Sequence, residues 1–559
     1  MITTTQYELW NEEQLPAYLA EELAQIKGNE KEIEERFYRT LPFGTGGMRG
    51  ELGVGTNRMN IYMIRLAAAG LAQHIVSLGK EAMAQGVVVA YDTRHFSQQF
   101  AQETACVLGA YGVKSYVFSE PRPTPQLSFA VRHLQAAAGV VITASHNPKQ
   151  YNGFKVYGDD GAQMVPTAVE AIICGMERIA NVFDIPTAEF TSHSEWILET
   201  LDDAYAAELQ TLKLRDVKPD VSIVYTPLHG AGIEPVRRGL QEMGFEQVHI
   251  VEEQAVADAD FSTVPYPNPE EASAFELAIK LGKKTGAKIL LATDPDADRL
   301  GVAVQNDGDD YTLLTGNQLG ALVIHYVTTT LAENNAIADN AVVVKTIVTA
   351  ELGAKIAEAH GIHTENVLTG FKYIAAKIAD YEATGEKSFV FGYEESYGYL
   401  MKPFARDKDA VQMALVVAEM ASYYYSEGKS LLDVLDQLDK QYGYHREVLF
   451  SKAFEGKSGQ EEMQQLLASY RENPLKELAG VRVIAVEDYL TSEVCYEDGE
   501  VTPITLPKEN VIKYILEDGS WVAIRPSGTE PKCKFYIGVV GETSEAANGK
   551  LHNLASFFK

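Results

Sequence analysis

Three aspartates at alternating positions, Asp294, Asp296 and Asp298, followed directly by Arg299, are the densest set of metal-capable side chains in the sequence. Unit charges about 4 Å apart repel by roughly 4 kcal/mol per pair at an effective dielectric near 20, so a divalent cation is the natural remedy if the backbone turns at Pro295. The loop offers no Cys or His, and an all-oxygen set favours Mg²⁺ over zinc. An EF-hand fails on spacing, because Arg299 stands where the sixth-position Gly belongs and Gln305 where the twelfth-position Glu belongs. The competing reading is a solvated acidic turn.

Three further stretches carry reactive groups. Thr143-Ala144-Ser145-His146-Asn147-Pro148 runs on to Tyr151-Asn152-Gly153-Phe154-Lys155, placing a hydroxyl at a strand end with donors and a cation nearby. A surface Asx turn with an incidental serine is the alternative. Arg525-Pro526-Ser527-Gly528-Thr529-Glu530-Pro531-Lys532 combines a guanidinium, two hydroxyls, a lysine and a glycine-freed backbone, which suits a phosphate dianion, although a plain hairpin would need only the glycine. Gly392-Tyr393-Glu394-Glu395-Ser396-Tyr397-Gly398, with Arg406-Asp407-Lys408-Asp409 downstream, places carboxylates and a hydroxyl beside aromatic rings, as recognition of a polyhydroxylated ring requires. An ordinary acidic turn would look the same. Gly44 to Gly50 is no dinucleotide fingerprint, since Arg49 occupies the place of the third glycine, but the loop could bring Arg49 to an anion. His229 reads as a turn histidine, and Lys345, Lys372 and Lys402 receive no assigned chemistry.

The elements that must position these groups follow from hydrophobic periodicity. Short apolar runs alternate with longer amphipathic stretches, the pattern of β/α units. Val87 to Ala90, Gly139 to Thr143, Lys288 to Thr293 and Ser388 to Gly392 each lead into one polar loop, just past the carboxyl end of a strand where α/β sheets place ligands. Boundaries fall near residues 200, 310 and 440, giving segments 1–200, 201–310, 311–440 and 441–559. The first 40 residues are a charged helical lead-in. From about Val501 dense strands and a final helix near Ser544 to Phe557 predict an α+β C-terminal domain.

At 559 residues the chain is too long for one compact domain. Asp and Glu outnumber Lys and Arg by 78 to 48, a formal charge of −30 that disfavours nucleic acid and anionic lipid as partners. The four cysteines, Cys106, Cys174, Cys495 and Cys533, form no C-x-x-C pair, which fits a reducing cytoplasm. Residues 1–25 lack the features of a secretory signal, and no apolar run approaches about 20 residues.

Taken together and in this order, TASHNP, DPDADR, YEES and RPSGTEPK resemble the α-D-phosphohexomutase superfamily, and the Arg49 and Asp92/Arg94 loops match it as well. The resemblance implies four α/β domains, three related units with mixed sheets and a smaller α+β C-terminal one, around a central cleft. It implies that Ser145 carries a phosphoryl group and that Asp294, Asp296 and Asp298 bind Mg²⁺ with the Ser145 phosphoryl oxygens. It assigns sugar hydroxyls to Glu394 and Ser396, and the non-reacting phosphate to Arg525, Ser527, Gly528, Thr529 and Lys532, with Arg49 and Arg299 also facing substrate. Length, GYEESYGY and RDKD are similar to the long phosphoglucomutase branch, which includes phosphopentomutases. Tyr393 replaces the Gly found before the Glu in shorter members, and Tyr397-Gly398-Tyr399 replaces their loop His. Lys408 then becomes the sugar-side proton-transfer candidate beside His146 and Lys155.

The expected reaction is exchange between glucose 1-phosphate and glucose 6-phosphate through glucose 1,6-bisphosphate, with mannose or pentose phosphates as alternative substrates. A metal-dependent sugar phosphatase and a non-catalytic sugar-phosphate sensor are the competing classes. The partners are small sugar phosphates, and the protein is expected to be a monomer or homodimer.

Overall fold

The computed structural model describes residues 2–44, 46–197, 199–308, 310–454, 456–526 and 532–559; the side chains of residues 2–4, 456–458 and 460 are not described. By packing, the chain forms two units, one comprising 1–316, 371–386 and 396–428, the other 317–370, 387–395 and 429–559.

The first unit holds two sheets. Strand order in the six-stranded sheet is Gly47–Glu51, Tyr151–Tyr157, Ala138–Ile142, Val87–Tyr91, Ser115–Phe118, Ser194–Ile197. The last four strands run parallel and the first two pair antiparallel, so this sheet is mixed. Its central strands, VVVAY and AGVVI, are buried at every position, as expected of strands covered on both faces. The second sheet is also mixed, in the order Tyr311–Leu313, Leu300–Gln305, Ile289–Thr293, Ile223–Thr226, Val248–Ile250.

Two sequence expectations change here. The N-terminal stretch is not merely a charged lead-in: helices Ile2–Glu12, Ala17–Gln25 and Glu30–Phe37 bury Trp10, Leu19, Leu23 and Phe37 in the domain core. Glu22 accepts from the Val54 amide at 2.8 Å and pairs with Arg36 at 2.5 Å, so part of the charge is structural. The helix Ile61–Leu78 is long and apolar enough by length and composition to cross a membrane, which Arg65, Gln73 and His74 conceal from a scan for unbroken apolar runs. Two-thirds of it is buried (67%), and it packs as the core helix of the first sheet.

The second unit contains the parallel strands His363–Val367, Ala341–Thr346 and Ser388–Glu394. It also holds an antiparallel sheet running Tyr444–Ala453, Lys532–Gly541, Trp521–Pro526, Ile512–Leu516, Val481–Asp488, Glu493–Tyr496, Val501–Pro503. The strands therefore begin well before Val501. YHREVLFSKA mixes charged with apolar residues because much of it stays solvent-facing, which blurs its period. The helix Ser544–Phe558 covers this sheet with Ala547, Leu554, Ala555 and Phe558.

Candidate functional site

The strand Ala138–Ile142 delivers Thr143, Ala144 and Ser145 to one end of the first sheet, and Ile289–Thr293 delivers the aspartates from the second. The two loops meet within the first unit: Ser145 Oγ donates to Asp294 Oδ2 at 2.7 Å. Asp294, Asp296 and Asp298 are all essentially inaccessible, and one oxygen from each lies within 4.8 Å of the others. The loop turns through Ala297 in the left-handed region (φ 49°), where the Ala297 amide donates to Asp294 O at 2.9 Å. Asp294 Oδ1 then accepts from the Asp298 and Arg299 amides at 3.1 and 3.0 Å. One face of Asp294 thus builds the turn while the other meets the serine.

Two ammonium groups converge on this cluster. Lys155, on the strand Tyr151–Tyr157, donates to Asp296 Oδ2 at 2.8 Å and Asp298 Oδ2 at 3.2 Å. Lys408 reaches the same Asp298 oxygen at 2.9 Å. Burial opposes ionisation of Asp298, but the Lys408, Lys155 and Arg299 charges hold it far below the usual carboxylate range. At Asp294 the balance is reversed: burial first, then the Asp298 and Asp296 charges, push its carboxyl well up despite the Arg299 charge and the Ser145 hydrogen bond. Lys155 resists the downward pull of burial because Asp296 and Asp298 stabilise its charge. Asp296 Oδ1 and Asp298 Oδ1 are buried without a hydrogen-bond partner. Unsatisfied carboxylate oxygens in a buried, all-oxygen cluster are what a hard divalent cation would satisfy.

His146 Nδ1 lies 3.2 Å from Ser145 Oγ. Burial, reinforced by the Arg299 and Arg49 charges, lowers its pKa well below the ordinary histidine range and favours the neutral ring. Arg49 Nη1 donates to Asn147 Oδ1 at 2.9 Å. Arg299 pairs with Glu270.

The site also uses residues to which spacing assigns no role. Thr124 Oγ1 donates to Asp296 Oδ2 at 2.9 Å. Tyr157 donates to Asp407 at 2.8 Å and Tyr205 to Asp409 at 2.9 Å, so the segment carrying Lys408 is tied down on both sides of the lysine. Pro123-Thr124-Pro125 was the available signal for Thr124; nothing local marks the tyrosines. His229 is a turn residue, its ring nitrogens held by Val256 O at 2.9 Å and Thr263 Oγ1 at 2.7 Å. Lys345 is buried against Thr349 O and Glu351, at 3.0 and 2.9 Å.

In the second unit, Glu394 ends the strand Ser388–Glu394 and accepts from the Gly370 amide at 2.9 Å. Ser396 stands in the turn that follows and belongs to the first unit. The aromatic rings of this loop are packed into the interior. Tyr393 is fully buried, its ring packed where Gly320 and Gly353 leave room for it. Tyr397 and Tyr399 are buried and donate to Leu314 O and Gly316 O at 3.0 and 3.3 Å. Arg525 Nε donates to Glu509 at 2.8 Å. Lys532 opens the strand Lys532–Gly541, whereas Ser527, Gly528 and Thr529 lie outside the described residues.

Comparison with known proteins agrees along the chain. Residues 40–182, 203–308 and 315–442 match α/β/α domains I, II and III of phosphoglucomutase/phosphomannomutase, and 454–551 match its C-terminal domain. A phosphoglucomutase of Staphylococcus aureus (strain USA300) is 38% identical over 545 residues, spanning 96% of each chain. Among solved structures, a phosphoglucomutase/phosphomannomutase family protein from Burkholderia thailandensis aligns at TM-score 0.67 and 18% identity over 92% of this chain and 96% of its own. The open form of the Paramecium phosphoprotein parafusin, a phosphoglucomutase, also aligns at 0.67 and 18%, over 93% and 96%. Four consecutive domain matches and a relative at this identity over nearly the whole length leave one assignment: the chain belongs to the phosphoglucomutase/phosphomannomutase family of the α-D-phosphohexomutase superfamily.

Proposed function

We propose that this chain interconverts glucose 1-phosphate and glucose 6-phosphate by way of a phosphoserine at Ser145 and bound glucose 1,6-bisphosphate. It is an intramolecular phosphotransferase by family. The observation that carries the reading is the 2.7 Å contact between Ser145 Oγ and Asp294 inside the buried aspartate cluster. Asp294, Asp296, Asp298 and an oxygen on Ser145 would hold Mg²⁺, which when bound offsets charge on the phosphoryl oxygens.

The residues divide the remaining work. A sugar hydroxyl oxygen attacks the phosphorus, the bond from phosphorus to Ser145 Oγ breaks, and the hydroxyl proton leaves to a nearby base. Neutral His146, beside Ser145 Oγ, suits proton exchange at the serine. Lys155, held charged, neutralises developing negative charge rather than accepting the proton. Lys408 handles the sugar side. Glu394 and Ser396 take sugar hydroxyls. Arg525, Ser527, Gly528, Thr529 and Lys532 grip the phosphate that is not reacting, and Arg49 and Arg299 add positive charge that the chain's net −30 makes necessary.

Segments 1–200, 201–310, 311–440 and 441–559 would carry the serine, metal, sugar and phosphate loops respectively. Four free cysteines support a reducing, cytoplasmic setting. Assays with Mg²⁺ and catalytic bisphosphate, comparing kcat/KM for glucose, mannose and ribose 1-phosphates, should favour glucose. Ser145→Ala should abolish turnover while sugar phosphate still binds. Release of inorganic phosphate without isomerisation would identify a phosphatase instead, and binding without either would identify a sensor.

A further inference from the structure

Arg94 follows the strand Val87–Tyr91, and its side chain is completely buried. The guanidinium is aimed at the backbone of the serine loop. Nη1 donates to Pro148 O at 2.8 Å and Tyr151 O at 3.2 Å, while Nη2 donates to Ser145 O and to Asn147 O, the latter at 2.5 Å. Four carbonyls in a seven-residue stretch therefore share one planar cation, a fork that no other side chain reproduces. The Phe261 ring covers the guanidinium, with its centroid 5.0 Å from Cζ.

Asp92 seats this arrangement from behind. Its Oδ2 lies 3.2 Å from Arg94 Nε, and its Oδ1 accepts from the Arg94 amide at 3.0 Å and Ser97 Oγ at 2.7 Å. Asp92 Oδ2 also accepts from Thr143 Oγ1 at 2.6 Å, and Thr143 Oγ1 in turn accepts from the Ser145 amide at 2.8 Å. Both backbone polar groups of Ser145 are thus fixed, the N–H through Thr143 and Asp92 and the C=O by Arg94. Ser145 needs this, because it is a non-glycine residue at φ 52°. Such a conformation costs about 1–3 kcal/mol and persists only where its surroundings over-determine it.

Arg94 cannot act by touching substrate, since its side chain has no exposed surface and both terminal nitrogens are committed to carbonyls. We propose that Arg94, seated by Asp92, is a positioning residue that holds the Ser145 loop in the left-handed turn from which the hydroxyl faces Asp294. The inference rests on the reading of Ser145 as the phosphoryl carrier. Displacing a reacting group by about 1 Å can cost on the order of 100-fold in rate without weakening substrate binding.

The test uses full-length enzyme bearing Arg94→Lys, Thr143→Val or Ser145→Ala, assayed with glucose 1-phosphate, Mg²⁺ and glucose 1,6-bisphosphate, with folding checked by circular dichroism. Lysine keeps the charge but offers one nitrogen in place of two, and valine keeps the shape of Thr143 while deleting its relay. The expected result is a kcat lower by about 100-fold in R94K and T143V with KM within about twofold of the parent. Should R94K fail to fold, T143V alone decides the matter. A folded variant with parental kcat, or with raised KM and parental kcat, overturns the positioning role. Parental turnover in S145A would instead overturn the reading of Ser145, so the two failures are distinct.

Discussion

Lys155 and Lys408 donate to the same oxygen, Asp298 Oδ2, at 3.2 and 2.9 Å, one from a strand of the first sheet and the other from a loop tied down by two tyrosines. Two cations on one carboxylate make Asp298 the anionic anchor of the cluster, and its low pKa is a consequence.

Lys155→Met removes one of the two. Asp298 is then held less strongly in its charged form. A depressed carboxyl supplies stability above its unfolded pKa of about 3.9 that is lost as pH falls toward the folded value. The variant loses part of that contribution, and its acid unfolding should begin at higher pH. Leaving buried carboxylates under-compensated costs about 3–5 kcal/mol, readable by urea titration of metal-free protein at pH 7.

Asp294 has the opposite sign. Its raised pKa means that stability present at low pH is lost as pH rises through the folded value. Asp294→Asn keeps an acceptor for the Asp298 and Arg299 amides and deletes the charge. Metal-free D294N should exceed the parent in stability at neutral pH by about 1 kcal/mol, with the gap closing on acidification. The increase in Tm on adding Mg²⁺, worth about 2.7 kcal/mol in the parent at 100 times Kd, should shrink in the variant. Differential scanning calorimetry with and without Mg²⁺ checks both.

Asp409 is buried beside Tyr205 and caps the helix Ala410–Ser426 through the Gln412 amide at 2.9 Å. Burial pushes its carboxyl up to about 6 despite these hydrogen bonds. The native state therefore holds an extra proton between about pH 4 and 6, and this group costs stability as pH rises across that window. Asp409→Asn can still cap the helix and should lack roughly 2 kcal/mol of that slope, seen as a smaller difference between unfolding free energies at pH 4.5 and pH 7.

Gly47 pairs with Lys155 across the first sheet at φ 152°. A Cβ there would be driven against the Phe154 carbonyl oxygen. Gly47→Ala should destabilise the protein by about 2–3 kcal/mol and lower kcat, because relief requires moving the strand that carries Lys155. Chemical denaturation beside steady-state kinetics measures the pair of effects.

Much of this was legible in the sequence because the strands are short, apolar and followed at once by polar loops. Val87–Tyr91, Ala138–Ile142 and Ile289–Thr293 stand where their β-branched runs stand, and the loops after them contain Arg94, Ser145 and Asp294. Missed features involve partners remote in sequence. Nothing near Tyr157 or Tyr205 announces Asp407 or Asp409, and Thr124 meets Asp296 only through tertiary packing. Tyr393 has polar neighbours in sequence, yet Gly320 and Gly353, far earlier in the chain, open the slot that buries it. Strands of the last sheet before Val501 escaped notice since charged residues on their wet faces hide the two-residue period.

The two packing units are discontinuous, with the chain passing from one to the other after Gly316, Gly370, Glu386, Glu395 and Gly428. Neither can be expressed as an uninterrupted gene fragment. During synthesis, residues 317–370 leave the ribosome long before 429–559, the other large part of their unit, so that unit closes only when translation is nearly complete.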